Sequence, residues 1–175
     1  DVLGSRGLGD VYKRQLQTQP DVFGMILNLG GSSVMTYGEK PDGSSWKVAL
    51  TDPLDTEGDY LGAITLDANQ FLSTSGDYEK YFIEDGIRYH HILDPKTGYP
   101  VQNGLTSVTI VCDQGYLADG LSTACFVLGL DAAKPLLEKY DAEAVFVDED
   151  KNVYVTSGLM DKFELMKDGY VVNEL

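Results

Sequence analysis

Cysteine, histidine and long apolar runs are scarce in this 175-residue sequence. Its two cysteines, Cys112 and Cys125, lack Cys-x-x-Cys spacing and lie among apolar residues, as small core residues do. One possible pair is too few for a disulfide framework to be the main source of stability. No apolar stretch approaches the roughly 20 residues of a membrane-spanning helix.

Positive charge is also scarce. The chain has 13 Lys and Arg against 28 Asp and Glu, which gives a formal net charge of −15. The acidic residues are spread along the sequence, which argues against a nucleic acid as the partner and fits a solvated surface. A phosphorylated ligand would meet a repulsive field, so it would need a divalent cation or converging backbone N–H groups.

With 43% apolar and 23% charged residues, the chain is long enough for one domain with its own core. Residues 1–15 show no hydrophobic period, and we interpret them as a non-native, adapter-derived segment outside the fold. Residues 16–175 are then expected to be the C-terminal portion of a domain that begins further upstream.

Apolar runs predict three strands in the first part of the chain. Residues 23–29 are expected to form a buried strand that ends at two glycines, and residues 46–50 alternate as a second strand. The turn residues 40–43 predict that these two strands pair as a hairpin. Residues 61–66 predict the third strand.

A second hairpin is predicted from residues 78–83 and 87–92, because an Asp85-Gly86 turn between two such runs is a strong hairpin signal. With this turn, Phe82 faces Tyr89 and Lys80 faces His91. The only two histidines, His90 and His91, therefore point to opposite faces, and only one of them can belong to a site on a given face.

The C-terminal half predicts an α+β fold, with antiparallel hairpins in a mixed sheet and two packed helices. Asp113 is expected to cap a first helix that Gly129 ends. The predicted elements are a strand at 105–111, helices at 115–128 and 131–140, a hairpin of 144–147 with 153–156, and one or two further strands.

Asp119 and Thr123 are a candidate magnesium pair. They lie four residues apart on the first predicted helix and so share one face. A carboxylate and a hydroxyl suit Mg²⁺, which keeps waters and completes its shell with phosphate oxygens. Gly120 between them costs helix stability and indicates a close approach to the backbone. The spacing alone fits an exposed polar stripe at least as well.

His91 and Asp94 are candidate catalytic residues, because they lie at a strand end and in the following loop, where reactive groups are commonly displayed. The histidine can move protons near neutral pH, and the carboxylate can orient it or accept a proton. The alternative is a structural histidine followed by an Asp-Pro turn.

Three glycine-containing segments, residues 28–32, 74–77 and 97–100, are candidates for binding an anion through backbone N–H groups. Each one alone is more typical of a turn. Four tyrosines surround the histidines and could hold a flavin or adenine ring, although cross-strand packing explains them equally well.

Taken together, the ordered strings TSGDY (74–78), HILDPKTGYP (91–100) and ADGLSTA (118–124) resemble the FAD:protein FMN transferase (ApbE) family. The resemblance extends over residues 23–158. It implies an ApbE-like, T-fold-like architecture and Mg²⁺-dependent cleavage of the FAD pyrophosphate. FMN would pass to a threonine hydroxyl of a partner flavoprotein, with release of AMP.

The resemblance also implies roles for individual residues. Asp119 and Thr123 would hold the metal, and His91 and Asp94 would line the reacting centre. The flavin nucleotide would lie against Tyr78, His91 and the two glycine segments, specifically Asn28, Gly30, Gly31, Thr97 and Gly98.

The sequence departs from the family in two respects. An upstream half with an Ala-Lys-Gly segment is missing, and Gly120 replaces the family's usual alanine. FAD hydrolysis and non-catalytic flavin binding remain alternative functions. Family members are mostly exported and often lipid-anchored, so an extracytoplasmic location is expected. The sequence does not specify the oligomeric state or the acceptor.

Overall fold

The computed structural model describes residues 8–55 and 57–175, which form three α-helices and twelve strands. The helices are α1 (Leu8–Leu16), α2 (Gly115–Leu128) and α3 (Leu130–Tyr140), and a 3-10 turn spans Ser157–Leu159. The strands are β1 (Gly24–Asn28), β2 (Ser33–Gly38), β3 (Trp46–Thr51), β4 (Tyr60–Leu66), β5 (Phe71–Gly76), β6 (Tyr81–Glu84), β7 (Ile87–His90), β8 (Leu105–Cys112), β9 (Glu143–Asp148), β10 (Asn152–Val155), β11 (Phe163–Leu165) and β12 (Val171–Glu174).

The strands form three sheets. The main sheet has seven strands in the order β1-β2-β5-β8-β9-β10-β12, and only the β10–β12 pair within it is parallel. The small sheet is antiparallel, in the order β11-β4-β3. The β6–β7 hairpin forms a third, separate sheet. The α+β class with a mixed sheet is therefore confirmed.

The main sheet is the middle of three layers, with α2 and α3 on one face and the small sheet on the other. Strand β8 is buried at all eight positions because both of its faces are covered. The helix-side core includes Phe71, Val108, Ile110, Cys112, Cys125, Phe126, Leu137 and Phe146. The sheet-side core includes Val48, Leu61, Ile64, Leu72, Val111, Val145, Val147 and Val153.

Strand β5 contributes to both cores because successive side chains of a strand point to opposite faces. Phe71 belongs to the helix-side core and Leu72 to the sheet-side core. Further along, the Ser75 hydroxyl lies 2.8 Å from that of Ser122 on α2. The intervening Thr74 turns to the other face, where its hydroxyl lies 2.8 Å from that of Thr109 on β8.

The β6–β7 hairpin has the predicted register. Phe82 pairs with Tyr89, and the His91 N–H donates to the Lys80 carbonyl at 3.2 Å. The two turn residues adopt φ values of 51° and 80°, the left-handed conformation that an Asp-Gly turn provides. His90 is buried and His91 is exposed, so the prediction of opposite faces is confirmed.

The predicted hairpin of residues 23–29 with 46–50 is wrong. Strand β2 lies between them and pairs with β1, whereas β3 pairs with β4 in the small sheet. The turn at 40–43 exists, with a 2.9 Å bond from the Gly43 N–H to the Lys40 carbonyl, but it connects the two sheets. Strand β1 is also an edge strand rather than a buried one, and Phe23 beside it is 84% exposed.

Helix α2 has the predicted bounds but not the predicted cap. The N–H groups of Gly115 and Tyr116 donate to the Asp10 carboxylate at 3.1 and 3.0 Å. The N-cap position is occupied by Gln114 rather than Asp113, and Gln114 makes no side-chain capping bond. Asp10 belongs to α1, which forms where the sequence showed no period. The non-native origin of residues 1–15 stays a prediction. No helix in the described part of the chain is long and apolar enough to cross a bilayer.

Candidate functional site

A cleft of about 200 Å³ lies between the end of β5, the base of the β6–β7 hairpin and the first two turns of α2. This main cleft is lined by His91, Asp119 and Thr123. His91 and Thr123 are 32 residues apart in the sequence. Its polar rim also includes Ser32, Ser73, Thr74, Ser75, Glu79 and Lys80. The fold thus unites the predicted metal pair with one of the two predicted catalytic residues.

Ser75, which belongs to the candidate segment 74–77, lines this cleft through a contact with α2 that the sequence did not predict. Its hydroxyl lies 3.0 Å from the Thr123 hydroxyl and 2.8 Å from the Ser122 hydroxyl, and Ser122 in turn donates to the Asp119 carbonyl at 3.0 Å. This chain of hydroxyls ties β5 to the helix that carries the predicted metal pair. Residues 74–76 were predicted as an anion-binding turn, but they are part of strand β5.

Asp119 and Thr123 fit a magnesium ion by the chemistry of their donors. Both are half-buried, one helical turn apart, and both line the main cleft. A carboxylate oxygen and a hydroxyl oxygen are the hard ligands that Mg²⁺ prefers. Among the described residues no three His, Cys, Asp or Glu side chains converge on one point. The remaining ligands would have to be water, phosphate oxygens or groups beyond the described residues.

His91 and His90 differ in their surroundings. His91 is exposed in the main cleft. The His90 ring is buried, with Nε2 donating to the Val101 carbonyl at 2.9 Å and Nδ1 accepting from the Ile92 N–H at 3.3 Å. It also meets the Phe126 ring of α2 edge-on, at a centroid distance of 5.7 Å. Both ring nitrogens of His90 are therefore engaged in hydrogen bonds within the protein. His91 is the histidine that a ligand can reach.

Asp94, Thr97 and Gly98 lie on the turn that follows the hairpin, and none of them lines the main cleft. The Asp94 carbonyl accepts the N–H groups of Thr97 and Gly98 at 3.2 and 2.8 Å. Its carboxylate accepts the Lys96 N–H at 2.8 Å, and the Thr97 hydroxyl accepts the Tyr99 N–H at 3.3 Å. These bonds close the turn on itself, and the functional roles of the three residues stay predictions.

A second space, the inter-sheet cavity of about 220 Å³, opens between the main and small sheets. Gly31 and Tyr78 line it, together with Thr109 and core side chains of both sheets, and it shares the lining residues Leu72, Thr74 and Glu79 with the main cleft. Burial raises the pKa of Tyr78 to about 12, and the negative charges of Glu79 and Asp77 add to this effect. Tyr78 therefore stays protonated and can donate a hydrogen bond at neutral pH.

The turn of residues 28–32 lies beside both spaces. The Asn28 side chain accepts the Gly31 N–H at 2.8 Å and so shapes the turn, while Gly30 and Gly31 have φ values of 84° and 89°. Asn28 and Gly30 line neither space, whereas Leu29 and Ser32 line the main cleft and Gly31 lines the inter-sheet cavity.

Comparison with known proteins gives a consistent result. The ApbE family profile matches residues 9–146. The chain is 35% identical over 162 residues to an FAD:protein FMN transferase of Klebsiella pneumoniae, covering 92% of this chain and 48% of that protein. It is 33% identical to an FAD:protein FMN transferase of Treponema pallidum, with coverages of 90% and 46%.

Solved structures show the same likeness. The Pseudomonas stutzeri flavinyl transferase ApbE superposes with a TM-score of 0.66 at 35% identity, covering 83% of this chain and 45% of that one. The flavin transferase ApbE from Vibrio cholerae gives a TM-score of 0.73 at 28% identity, with coverages of 90% and 50%. The chain thus spans about half the length of the relatives it matches.

Proposed function

Because this chain belongs to the ApbE family, we propose that it supplies part of the active site of a Mg²⁺-dependent FAD:protein FMN transferase. This enzyme would attach FMN through a phosphoester bond to a threonine of a partner flavoprotein and release AMP. The observation that carries the proposal is the main cleft, in which Asp119 and Thr123 lie together with His91.

The proposed reaction is a substitution at phosphorus. The acceptor threonine oxygen forms a bond to the FMN-side phosphorus of FAD, and the bond from that phosphorus to the bridging oxygen breaks. AMP leaves with the bridging oxygen. The imidazole of His91 would take the hydroxyl proton; its exposure in the cleft, where the buried His90 does not reach, supports this role.

Asp119 and Thr123 would hold the magnesium ion. When bound, Mg²⁺ neutralises pyrophosphate charge and stabilises the charge that develops on the leaving phosphate. The formal charge of the chain, −15, supports a cation as the partner of the pyrophosphate. Among the described residues that line the cleft, Lys80 is the one lysine or arginine, and Glu79 and Asp119 are acidic.

The flavin nucleotide would extend from the main cleft towards Tyr78 and Gly31. The residues Leu72, Thr74 and Glu79, which line both spaces, support this placement. Asn28 and Gly30 would act by shaping the turn that holds Gly31. Asp94, Thr97 and Gly98 would contribute only if the turn after the hairpin closes over the bound nucleotide.

The proposed partners are FAD and an acceptor flavoprotein with a target threonine. An extracytoplasmic location, with a lipid anchor on the full-length protein, is proposed on the family resemblance alone. No nucleic acid is proposed as a partner, because basic residues are few and the charge is strongly negative.

The test is Mg²⁺-dependent release of AMP from FAD, with and without a threonine-containing acceptor. It is made on this chain and on a chimera that adds the part of the Klebsiella pneumoniae relative that the chain does not span. We expect the chimera to flavinylate the acceptor, Asp119→Asn to abolish turnover, and Asp168→Asn, an exposed acidic control, to have no effect.

Each other outcome identifies an alternative function. Release of FMN and AMP without modification of the acceptor would indicate an FAD pyrophosphatase. Binding of FAD with no turnover in either protein would indicate a flavin-binding protein. Full activity of Asp119→Asn would refute the proposed metal site.

A further inference from the structure

The position of His91 depends on the β6–β7 hairpin, because His91 is the first residue after β7. The hairpin does not pair with either of the other sheets, and all four residues of β6 are exposed. A two-stranded hairpin alone is only marginally stable in water. Contacts between the hairpin and the rest of the protein must therefore determine where His91 points.

One such contact is made by His90 at the end of β7. Its buried ring is fixed between the Val101 carbonyl and the Phe126 ring. This anchor holds one point of the strand, and a strand held at one point can still tilt and twist about it. A second anchor on the same face is needed to fix its orientation.

Arg88 provides the second anchor. It lies two residues before His90 and so on the same face of β7, roughly 7 Å away. Its Nη1 donates to both carboxylate oxygens of Asp77, at 3.0 and 2.9 Å, and its guanidinium lies 4.6 Å from the centre of the Tyr81 ring. The side chains of Arg88 and Asp77 are only 33% and 14% exposed.

Asp77 is itself held by the main sheet. It directly follows β5, and its N–H donates to the Thr106 carbonyl of β8 at 3.1 Å. Burial raises the pKa of Asp77, an effect that Arg88 opposes. Two residues earlier, Ser75 contacts Thr123. The hairpin is thus fastened to the strand that contacts the metal-binding helix.

We propose that Asp77 and Arg88 are positioning residues that hold His91 towards Asp119 and Thr123. The inference rests on the proposed function, in which His91 accepts the threonine proton. This ion pair should affect the rate of FMN transfer and leave the affinity for FAD unchanged, because neither residue lines the main cleft.

The first test uses Mn²⁺ in place of Mg²⁺ and measures paramagnetic relaxation of the histidine ring protons by NMR. The chain has only two histidines, so His91→Gln assigns both signals. The His91 ring of the wild-type chain should relax strongly, and the effect should weaken in Arg88→Gln because it falls with the sixth power of distance. Lys162→Gln, which removes an exposed ion pair with Asp67, is the control and should match wild type.

The second test measures kinetics in the chimera described above. Arg88→Gln and Asp77→Asn should each lower kcat by about 10- to 100-fold, the loss expected when a catalytic group is misplaced by about 1 Å. KM for FAD should stay within about twofold, because ground-state binding is unchanged. Arg88→Lys keeps the charge without the two-bond geometry, so its kcat should be intermediate, and it replaces Arg88→Gln if that variant does not fold.

The outcomes separate this inference from the proposed function. If wild-type His91 shows no relaxation by Mn²⁺, the proposed metal site and the inference both fail. If wild-type His91 relaxes strongly and Arg88→Gln shows the same relaxation and the same kcat, the inference alone fails.

Discussion

His90 and His91 are neighbours in the sequence, yet one is buried against Phe126 and the other lies in the main cleft. Their opposite directions were predictable, because the Asp85-Gly86 turn fixes the register and strand side chains alternate. Which histidine faces the cleft was not predictable from this alternation. That choice depends on how the hairpin docks on the rest of the protein, through contacts such as the one between Arg88 and Asp77.

At Gly120 the sequence predicted a close approach to the backbone, and none of the described residues makes it, so a bound ligand is the approach that stays predicted. A Cβ added at Gly120 would have nothing within 4 Å. We therefore expect Gly120→Ala to stabilise the protein by about 1 kcal/mol, the difference in helix propensity between the two residues. Urea denaturation measures this change, and FAD turnover should be unaffected.

Gly115 on the same helix is the matched control. A Cβ there would lie 2.8 Å from the Phe71 ring, so Gly115→Ala should destabilise despite the better helix propensity of alanine. If Gly120→Ala were destabilising too, an unrecognised neighbour would have to contact this turn of α2.

Elements with strong local signals were predicted well, and those defined by tertiary contacts were not. Helix α2 ends at Gly129, whose φ of 78° stops it, and its bounds followed from the sequence. Strand β2 was missed because its polar residues hide the strand pattern. Thr36 in β2 is fully buried, and its hydroxyl donates to the carbonyls of Asp67 and Gln70 at 3.0 and 3.1 Å. The same reason explains why strand β5, which contains Ser75, was not predicted.

The N-terminus of α2 is capped by a residue of another helix, and mutation can test this cap. Asp10 accepts two N–H groups there from outside the helix, so Asp10→Ala should destabilise the protein by about 1 kcal/mol, as the loss of a helix cap does. Asp113→Ala, at the position that the sequence favoured, should have a much smaller effect because the N-cap position is occupied by Gln114 and not by Asp113. Thermal unfolding of the two variants decides between the two caps, and an equal loss would refute the role of Asp10.

At the scale of the whole molecule, the main sheet separates two cores that face in opposite directions. The α+β class was predictable from the order of strands and helices. The small sheet was not, because β4 pairs on one side with β3 and on the other with β11, which follows about 100 residues later in the sequence. The chain bends back over the main sheet to complete the third layer, and no local pattern indicates this.

The separation of the cores predicts additive mutational effects. Ile64→Val in the sheet-side core should cost about 0.5–1.5 kcal/mol, and Leu137→Ala in the helix-side core about 2–5 kcal/mol. The double variant should equal the sum within about 0.5 kcal/mol, because the two sites share no neighbours. Denaturant unfolding of the three variants measures this.

A pair within one core serves as the comparison. Leu72 and Val111 face each other on β5 and β8 in the sheet-side core, so Leu72→Ala and Val111→Ala should be coupled rather than additive. A large coupling between Ile64 and Leu137 would show instead that the main sheet transmits strain from one core to the other.

Strand β5 has a consequence for how this protein can diverge during evolution. Ser75 faces the helix that carries the predicted metal pair, and Thr74 faces the inter-sheet cavity. One strand therefore lines two compartments, because its successive side chains point to opposite faces. Inserting or deleting a single residue in β5 would exchange the two sets of hydroxyls and disrupt both compartments at once. We therefore expect related proteins to differ in β5 by substitutions and to keep its length. A change of length on behalf of one compartment would disrupt the other as well.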